Sequence, residues 1–111
     1  MRYAFFVMVT ATSKWLQLAR PERARLAEAH LIAPVRDRPG LSLRYFDAEA
    51  FSARCSDVMM LETDDPASYY YFIEALRDSP LISESYFELV EILPTIEEGF
   101  KAYEADLAAA L

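Results

Sequence analysis

The chain is predicted to fold as an α+β sandwich in which two helices cover one face of a four-stranded sheet. Strand-like and helical hydrophobic periods follow one another in the order β-α-β-β-α-β, and a last amphipathic stretch follows the fourth strand. Proline-containing boundaries separate the helical periods from the strands. This order of elements is that of the ferredoxin-like sandwich, for which we expect the spatial strand order 4-1-3-2.

The first strand is predicted over residues 3–10, which are apolar on both alternating faces, as is typical of a central strand covered on both sides. Ser13 can cap a short helical turn that follows. Pro21 suits the first turn of a longer helix, since its missing N–H costs nothing there, and Pro34 and the Pro39-Gly40 pair would end the segment. The apolar stripe of the longer helix is Leu26, Ala27, His30 and Leu31.

The second and third strands are predicted over residues 41–46 and 54–63. Residues 47–52 contain neither Gly nor Pro, so we expect a loose connection between them rather than a two-residue turn. Alternation divides the second strand into two faces, which are Leu41, Leu43 and Tyr45 on one side and Ser42, Arg44 and Phe46 on the other.

The second half begins with a capping acid and a proline, Asp65 and Pro66, which start a helix that Pro80 would end. The core-facing stripe of this helix is Tyr69, Phe72, Ile73 and Leu76. The fourth strand is predicted over residues 86–93. Thr95 and Glu98 then form a capping-box pattern for a final helix. The apolar stripe of the final helix is Ile96, Phe100, Tyr103, Leu107 and Leu111.

Composition bounds the function more than it defines it. The 111 residues suit one domain, residues 1–111, with 54% hydrophobic and 26% charged residues. We expect this excess of apolar residues to be buried in a homodimer, in which two open sheet faces close as a dimeric α/β barrel. The net charge of −7 argues against nucleic-acid binding, and no apolar run is long enough to span a bilayer. One cysteine and one histidine leave no metal-ligand pattern, so we expect no metal, no cofactor and a cytoplasmic location.

Four groups of residues carry a resemblance to a known family. They are Trp15-Leu-x-Leu18-x-Arg20-x-x-Arg23, Tyr45-Phe-Asp47-x-Glu-Ala-Phe51-Ser-Ala-Arg54-x-Ser-Asp57, Tyr69-x-x-Phe72-Ile with Leu76-Arg-Asp78, and Tyr86-Phe-Glu88. Together they resemble the darcynin family, small bacterial proteins of dimeric α/β-barrel type. The resemblance covers nearly the whole chain and implies the fold alone, because the family has no assigned reaction and no defined catalytic residues.

Arg44 and Arg54 are the first candidate ligand-binding residues. If the connection between the second and third strands centres near Ala50, Arg44 lies opposite Ser56 and Phe46 lies opposite Arg54. The two arginines and Ser56 would then share the open face and could hold a carboxylate or phosphate. The alternative is that each arginine pairs with an acid such as Glu88.

The remaining candidates are considered singly. Asp57 would lie beneath the helices, either as a general base or as a cap or salt bridge to a helix arginine such as Arg77. Tyr86 and Glu88 could be an acid/base pair, although an edge-strand charge is the more common role of such a glutamate. Trp15 could line a pocket mouth or act as a packing anchor. His30 would be the only imidazole ligand for a haem, but it falls on or beside a helix stripe.

Two functions remain open at this point. The first is a cofactor-independent enzyme or binder of a small anionic or aromatic molecule, with a cavity at the open sheet face or between sheet and helices. The alternative is a non-catalytic ligand-binding or protein-interaction module. A haem protein is a more distant third.

Overall fold

A computed structural model describes residues 1–111 as a four-stranded antiparallel sheet with helices on one face and a projecting C-terminal helix. The strands are β1 (Tyr3–Ala11), β2 (Ser42–Asp47), β3 (Asp57–Thr63) and β4 (Phe87–Ile96). They lie in the order β2-β3-β1-β4. This is the order expected from the sequence, read from the other edge, and the ferredoxin-like fold is confirmed.

The helical elements are α1 (Ser13–Leu16), α2 (Arg20–Ala27), a π-helical segment (Glu28–Ile32), α3 (Ala33–Arg36), α4 (Pro66–Asp78), α5 (Pro80–Ser83) and α6 (Gly99–Ala109). Asp65 caps α4 as predicted, because its carboxylate accepts a hydrogen bond of 3.0 Å from the Ala67 N–H. The cap of α1 is Thr12 rather than Ser13. No helix of this chain combines the length and the apolar character that a membrane span requires.

Pro34 does not end the first helical region, contrary to the sequence-based prediction. The helical backbone passes through a π-helical segment and continues as α3 to Arg36. Proline is tolerated in the first turn of a helix, where its missing N–H removes no helical bond, and the change of hydrogen-bond register just before Pro34 creates such a first turn.

The two faces of the sheet have different surroundings. The face that packs against α2, α4 and α5, here called the helix face, carries the core, in which Val7, Leu61 and Leu81 are at most 2% exposed. The opposite face, here called the open face, has no helix on it. Its large apolar side chains, identified by alternation and strand pairing, are Phe6, Met8, Phe46, Val58, Met60 and Leu93.

The fourth strand is longer than predicted, and the predicted capping box is wrong. Pairing with β1 continues as far as Ile96 opposite Tyr3, so Thr95 lies inside the strand and its hydroxyl donates to the Ala4 carbonyl at 2.6 Å. The ladder hydrogen bonds to β1 extend the strand through the positions where a local cap would have formed. The final helix begins only at Gly99, after Glu98 in the left-handed region (φ 47°).

Helix α6 projects away from the rest of the molecule. No other helix or strand packs extensively against it, none of its residues is buried, and the molecule extends 61 Å along its longest axis but only 18 Å along its shortest. Of the predicted apolar stripe, Phe100, Tyr103 and Leu107 lie on the helix and are uncovered, whereas Ile96 belongs to β4 and Leu111 lies beyond the end of the helix.

Candidate functional site

The connection between β2 and β3 is centred near Ser52, two residues beyond the predicted centre. Arg44 lies opposite Met60 and Phe46 opposite Val58, so the predicted pairings of Arg44 with Ser56 and of Phe46 with Arg54 are wrong. The third strand begins at Asp57 rather than Arg54, because residues 48–56 form an irregular loop. The partner positions shift by an even number of residues, so Arg44 and Asp57 remain on the faces that alternation predicts.

A cleft lies on the helix face between the strands β2 and β3 and the helices α1 and α2. We call it the helix-side cleft, and it has two neighbouring compartments that share Trp15, Tyr45 and Phe87. The inner compartment, of about 220 Å³, is entirely apolar and is lined by Trp15, Ala27, Leu31, Ile32, Leu43, Tyr45, Leu81 and Phe87. The outer compartment, of about 470 Å³, is lined by Ala11, Trp15, Leu16, Arg23, Tyr45, Asp47, Glu49, Ser56, Asp57 and Phe87.

Three carboxylates converge at the outer compartment. Asp47 lies opposite Asp57 across the β2–β3 pair, and carboxylate oxygens of these two residues and of Glu49 lie within 4.8 Å of one another. Asp57 is only 8% exposed, whereas Asp47 and Glu49 are exposed. Burial raises the pKa of Asp57 above its usual value, and the hydrogen bond with Asp47 and the negative charge of Glu49 raise it further. Asp57 is therefore the carboxyl of this cluster that is poised to hold a proton.

Ser56 positions this carboxyl group. Its hydroxyl donates to Oδ2 of Asp57 at 2.6 Å and accepts a hydrogen bond of 2.8 Å from the N–H of Ala11, at the end of β1. That hydroxyl hydrogen bond acts against the rise in the pKa of Asp57. The prediction that Asp57 pairs with a helix arginine is wrong, because no ion pair involves it.

Tyr45 and Arg23 supply the other polar groups of the cleft. Burial raises the pKa of Tyr45, and the negative charges of Asp57 and Asp47 add to the effect, so its hydroxyl stays a neutral hydrogen-bond donor and acceptor. Arg23 is the only cation of the lining, but its guanidinium already donates to the carbonyls of Leu16 (2.6 Å) and Leu18 (3.1 Å). The mouth is therefore net negative.

Trp15 is both a cleft residue and a packing anchor, so the two roles considered from the sequence coexist. Its ring lies 4.7 Å from that of Phe87 and 5.8 Å from that of Tyr86, centroid to centroid. Tyr86 also lies under the ammonium group of Lys14, 5.2 Å from ring centroid to Nζ. Glu88 is exposed on the open face and makes no ion pair or side-chain hydrogen bond, so it lies apart from the cleft.

The two candidate arginines are not neighbours. The guanidinium of Arg44 stacks over Phe46 at 5.3 Å from the ring centroid, on the edge strand β2. Arg54 forms an ion pair with Glu91 on β4, the opposite edge, about 14 Å away at the usual strand spacing. The acid that pairs with Arg54 is thus Glu91 rather than Glu88, and the predicted anion clamp does not assemble within one chain.

Oxygen donors are the only ligand set that the cleft offers to a metal ion. Asp47, Glu49 and Asp57 would suit a hard cation such as Mg²⁺ or Ca²⁺. His30, half-buried in the π-helical segment, is not among the residues that line any cavity. Cys55 is a buried free thiol outside the cleft lining, as the sequence suggested.

Sequence reasoning missed Tyr45, Asp47, Glu49 and Arg23 as cleft residues. The signal was present in the alternation of β2: Leu43 and Tyr45 were assigned to one face, and the next residue on that face is Asp47. Extending the predicted strand by one residue would have placed this carboxylate on the same face as Asp57, but its position opposite Asp57 also requires the observed register.

Comparison with known sequences shows similarity over almost the entire chain to one family. The family described as Darcynin, a domain of unknown function, matches residues 2–110. Darcynin from Chromobacterium violaceum is 60% identical over 70 residues, which cover 63% of this chain and 89% of that protein. Darcynin 1 from Acinetobacter baumannii is 41% identical over 91 residues, covering 81% of this chain and all of that protein.

Solved structures of the same fold are more distant in sequence. A novel heme-binding protein from Thermus thermophilus superimposes with a TM-score of 0.73 at 19% identity, over 91% of this chain and 43% of that one. Chlorite dismutase from Candidatus Nitrospira defluvii in complex with imidazole gives a TM-score of 0.71 at 13% identity, over 84% of this chain and 38% of that one. The chain spans less than half of either neighbour, and at these identities the similarity shows the fold alone.

Proposed function

The chain belongs to the darcynin family, and we propose that it is a cofactor-independent enzyme or binder whose helix-side cleft takes a small, largely aromatic molecule. The observation that carries the proposal is the placement of a carboxyl group from a buried residue, Asp57, at the mouth of an apolar compartment. An apolar cavity with a few convergent polar groups is the common form of a small-molecule site.

The charge of the mouth selects the polar end of the ligand. Asp47, Glu49 and Asp57 would repel an anion, whereas an ammonium or hydroxyl group would be held by them or by the hydroxyl of Tyr45. The inner compartment, whose lining includes Trp15, Leu43 and Phe87, is large enough and apolar enough to accommodate an aromatic ring. Of the two ligand types expected from the sequence, the aromatic one is thus supported and the anionic one is not.

Asp57 is suited to move a proton. In its ionised form it would accept a proton from an acidic O–H or C–H group of the bound molecule, and the resulting carboxylic acid would return that proton to another atom of the same molecule. Such a tautomerisation conserves atoms and electrons within the ligand and requires no cofactor. Asp47, which faces Asp57 across the strand pair, favours the protonated form.

The cleft does not fit a haem. His30 is absent from its lining, and a tyrosinate ligand from Tyr45 is disfavoured because burial and the nearby acids raise the pKa of that phenol. The haem named for one structural neighbour therefore gives no argument for haem in this chain.

A thermal-shift experiment with three ring probes tests the binding part of the proposal. Phenol and benzylamine should raise the melting temperature of the wild-type protein, and benzoate should not, because only the first two present a donor to the carboxylates. Asp47→Asn should weaken the benzylamine effect. Arg54→Ala, on the other face of the sheet, is the matched control and should leave all three shifts unchanged. Equal shifts by benzoate and benzylamine would contradict the proposed cleft.

Deuterium exchange separates an enzyme from the alternative, a non-catalytic binding module. Wild-type protein should accelerate exchange of the α-protons of acetophenone, followed by NMR. Asp57→Asn should abolish the acceleration while the probe still binds, because the amide keeps the shape but cannot take the proton. Binding without any accelerated exchange in the wild type would favour the non-catalytic module.

A further inference from the structure

Helix α6 and the open face are two apolar surfaces that the single chain leaves uncovered. On α6, Phe100, Tyr103 and Leu107 are 60%, 64% and 49% exposed. On the open face, Phe46 and Leu93 are 43% and 48% exposed. Removing such side chains from water is favourable, so two surfaces of this kind on one chain favour a partner that covers both.

We infer that α6 is an exchanged arm: it packs on the β2 edge and open face of a second copy of this chain, which returns its own α6 in the same way. This inference is independent of the proposed ligand of the helix-side cleft.

The residues just before α6, Ile96–Glu98, here called the root of the arm, are fixed to the edge of the sheet. Pairing of β4 with β1 continues to Ile96, and the Glu97 N–H then donates to the Arg2 carbonyl at 2.8 Å. Glu98, in the left-handed region, sets the angle at which the helix leaves the sheet. With its root tied to the edge of the sheet and no element of its own chain packed extensively against it, the helix leaves Phe100, Tyr103 and Leu107 of its stripe exposed.

The area of the open face also requires the arm. Four strands about 4.8 Å apart, of 9, 6, 7 and 10 residues, give a footprint of roughly 500 Å². A stable dimer buries about 800 Å² on each partner. Two open faces alone therefore make a small interface, and an arm from each copy adds helix surface to both sides of it.

Charge selects how the two copies meet. Arg44, on the β2 edge, has no acidic partner in its own chain and only stacks over Phe46. The arm and its root are acidic, with four acids and one lysine: Glu97, Glu98, Glu104, Asp106 and Lys101. A two-fold axis parallel to the strands places β2 of one copy over β4 and α6 of the other, so Arg44 meets an acidic arm. A perpendicular axis would bring the β2 edges, and hence two copies of Arg44, together.

Matched substitutions on the two sides of α6 test the arm by sedimentation velocity over a micromolar concentration series. Wild-type protein should sediment as a dimer. Leu107→Asp should raise the dimer dissociation constant at least about tenfold, because it places a charge on the apolar stripe. Ala105→Asp puts the same charge on the opposite side of the same helix and should leave the constant unchanged. Arg44→Glu should weaken the dimer as well. A monomeric wild type, or equal effects of Leu107→Asp and Ala105→Asp, would overturn the inference.

Mixed labelling tests whether the arm crosses between copies. A dimer assembled from ¹³C-methyl-labelled and unlabelled chains should give filtered NOEs between the Leu107 methyl groups of one chain and the Phe46 ring of the partner subunit. NOEs of Leu107 confined to its own chain would show an arm folded back on its own sheet, and would overturn the exchange.

Discussion

The helix face and the open face are formed by the same four strands, yet they differ in what covers them. On the helix face, Val7 and Leu61 are fully buried under the helices, and the acidic mouth around Asp57 makes a polar break. On the open face, Phe46 and Leu93 remain more than 40% exposed, and the charged residues Arg44, Glu88 and Arg54 lie toward its edges. The comparison teaches that alternation places apolar residues on both faces, but the helices of one chain can cover only one of them.

The largest expected effect comes from the same truncation on the two faces. Leu61→Ala should lower the free energy of unfolding by about 2–5 kcal/mol, because it leaves a cavity under the helices. Leu93→Ala should cost less than about 1 kcal/mol in the isolated chain, because its side chain is half in solvent. Urea unfolding measures both.

Repeating the unfolding measurements of Leu61→Ala and Leu93→Ala at several protein concentrations extends this first comparison. If the open face is covered by a second copy, the cost of Leu93→Ala should rise as the dimer forms, whereas the cost of Leu61→Ala should not. Equal costs for the two truncations in the monomer would contradict the assignment of the two faces.

An intermediate effect is expected at the polar break of the helix face. Because the pKa of Asp57 is raised in the folded state, the protonated form stabilises the fold, and that contribution is lost as pH rises through the folded pKa. Asp57→Asn should therefore raise the stability by about 1 kcal/mol at neutral pH, a rise of roughly 4 °C in the melting temperature, and by less in acid. Thermal melts between acid and neutral pH measure the difference. A gain that does not shrink in acid would exclude the raised pKa as its cause.

The smallest effect is expected at the ion pair between Arg54 and Glu91, at the β4 edge of the open face. Arg54 and Glu91 are both largely exposed, so the pair should contribute between about 0.2 and 1 kcal/mol. Arg54→Ala should lower the stability by no more than that, and the difference should shrink as salt is added. A loss that is larger and independent of salt would indicate that Arg54 is buried at an interface between copies.

Local patterns predicted the elements well where the chain itself supplies the reason. The Asp65–Pro66 start of α4 is confirmed because a capping carboxylate and a first-turn proline act within four residues. The prediction of a Thr95–Glu98 capping box was wrong because Thr95 pairs with β1, a strand distant in sequence, and so lies within the sheet. The sequence signals that mark helix ends also could not predict the π-helical segment before Pro34.

The candidate site was only partly predictable for the same reason. Asp57 was assigned to the helix face, and Trp15 was considered as a pocket residue, from local pattern alone. The predicted register of β2 against β3 was wrong, because each β2 residue pairs with a residue four positions further along β3 than predicted. The predicted register therefore placed Asp47 away from Asp57. It also placed Arg44 and Arg54 close together. No residue within the connecting loop marks where its centre lies, since it has neither glycine nor proline.

The sequence by itself determined the order of the elements, the face on which each strand residue lies and the apolar stripe of the last helix. These depend on periods of two and about 3.6 residues that any short segment carries. Only the tertiary structure decided that three carboxylates meet at one cleft and that α6 projects from the sheet with its apolar stripe uncovered. Both depend on which distant residues pair across the sheet and where β4 stops, and these are set by contacts between segments remote in the chain.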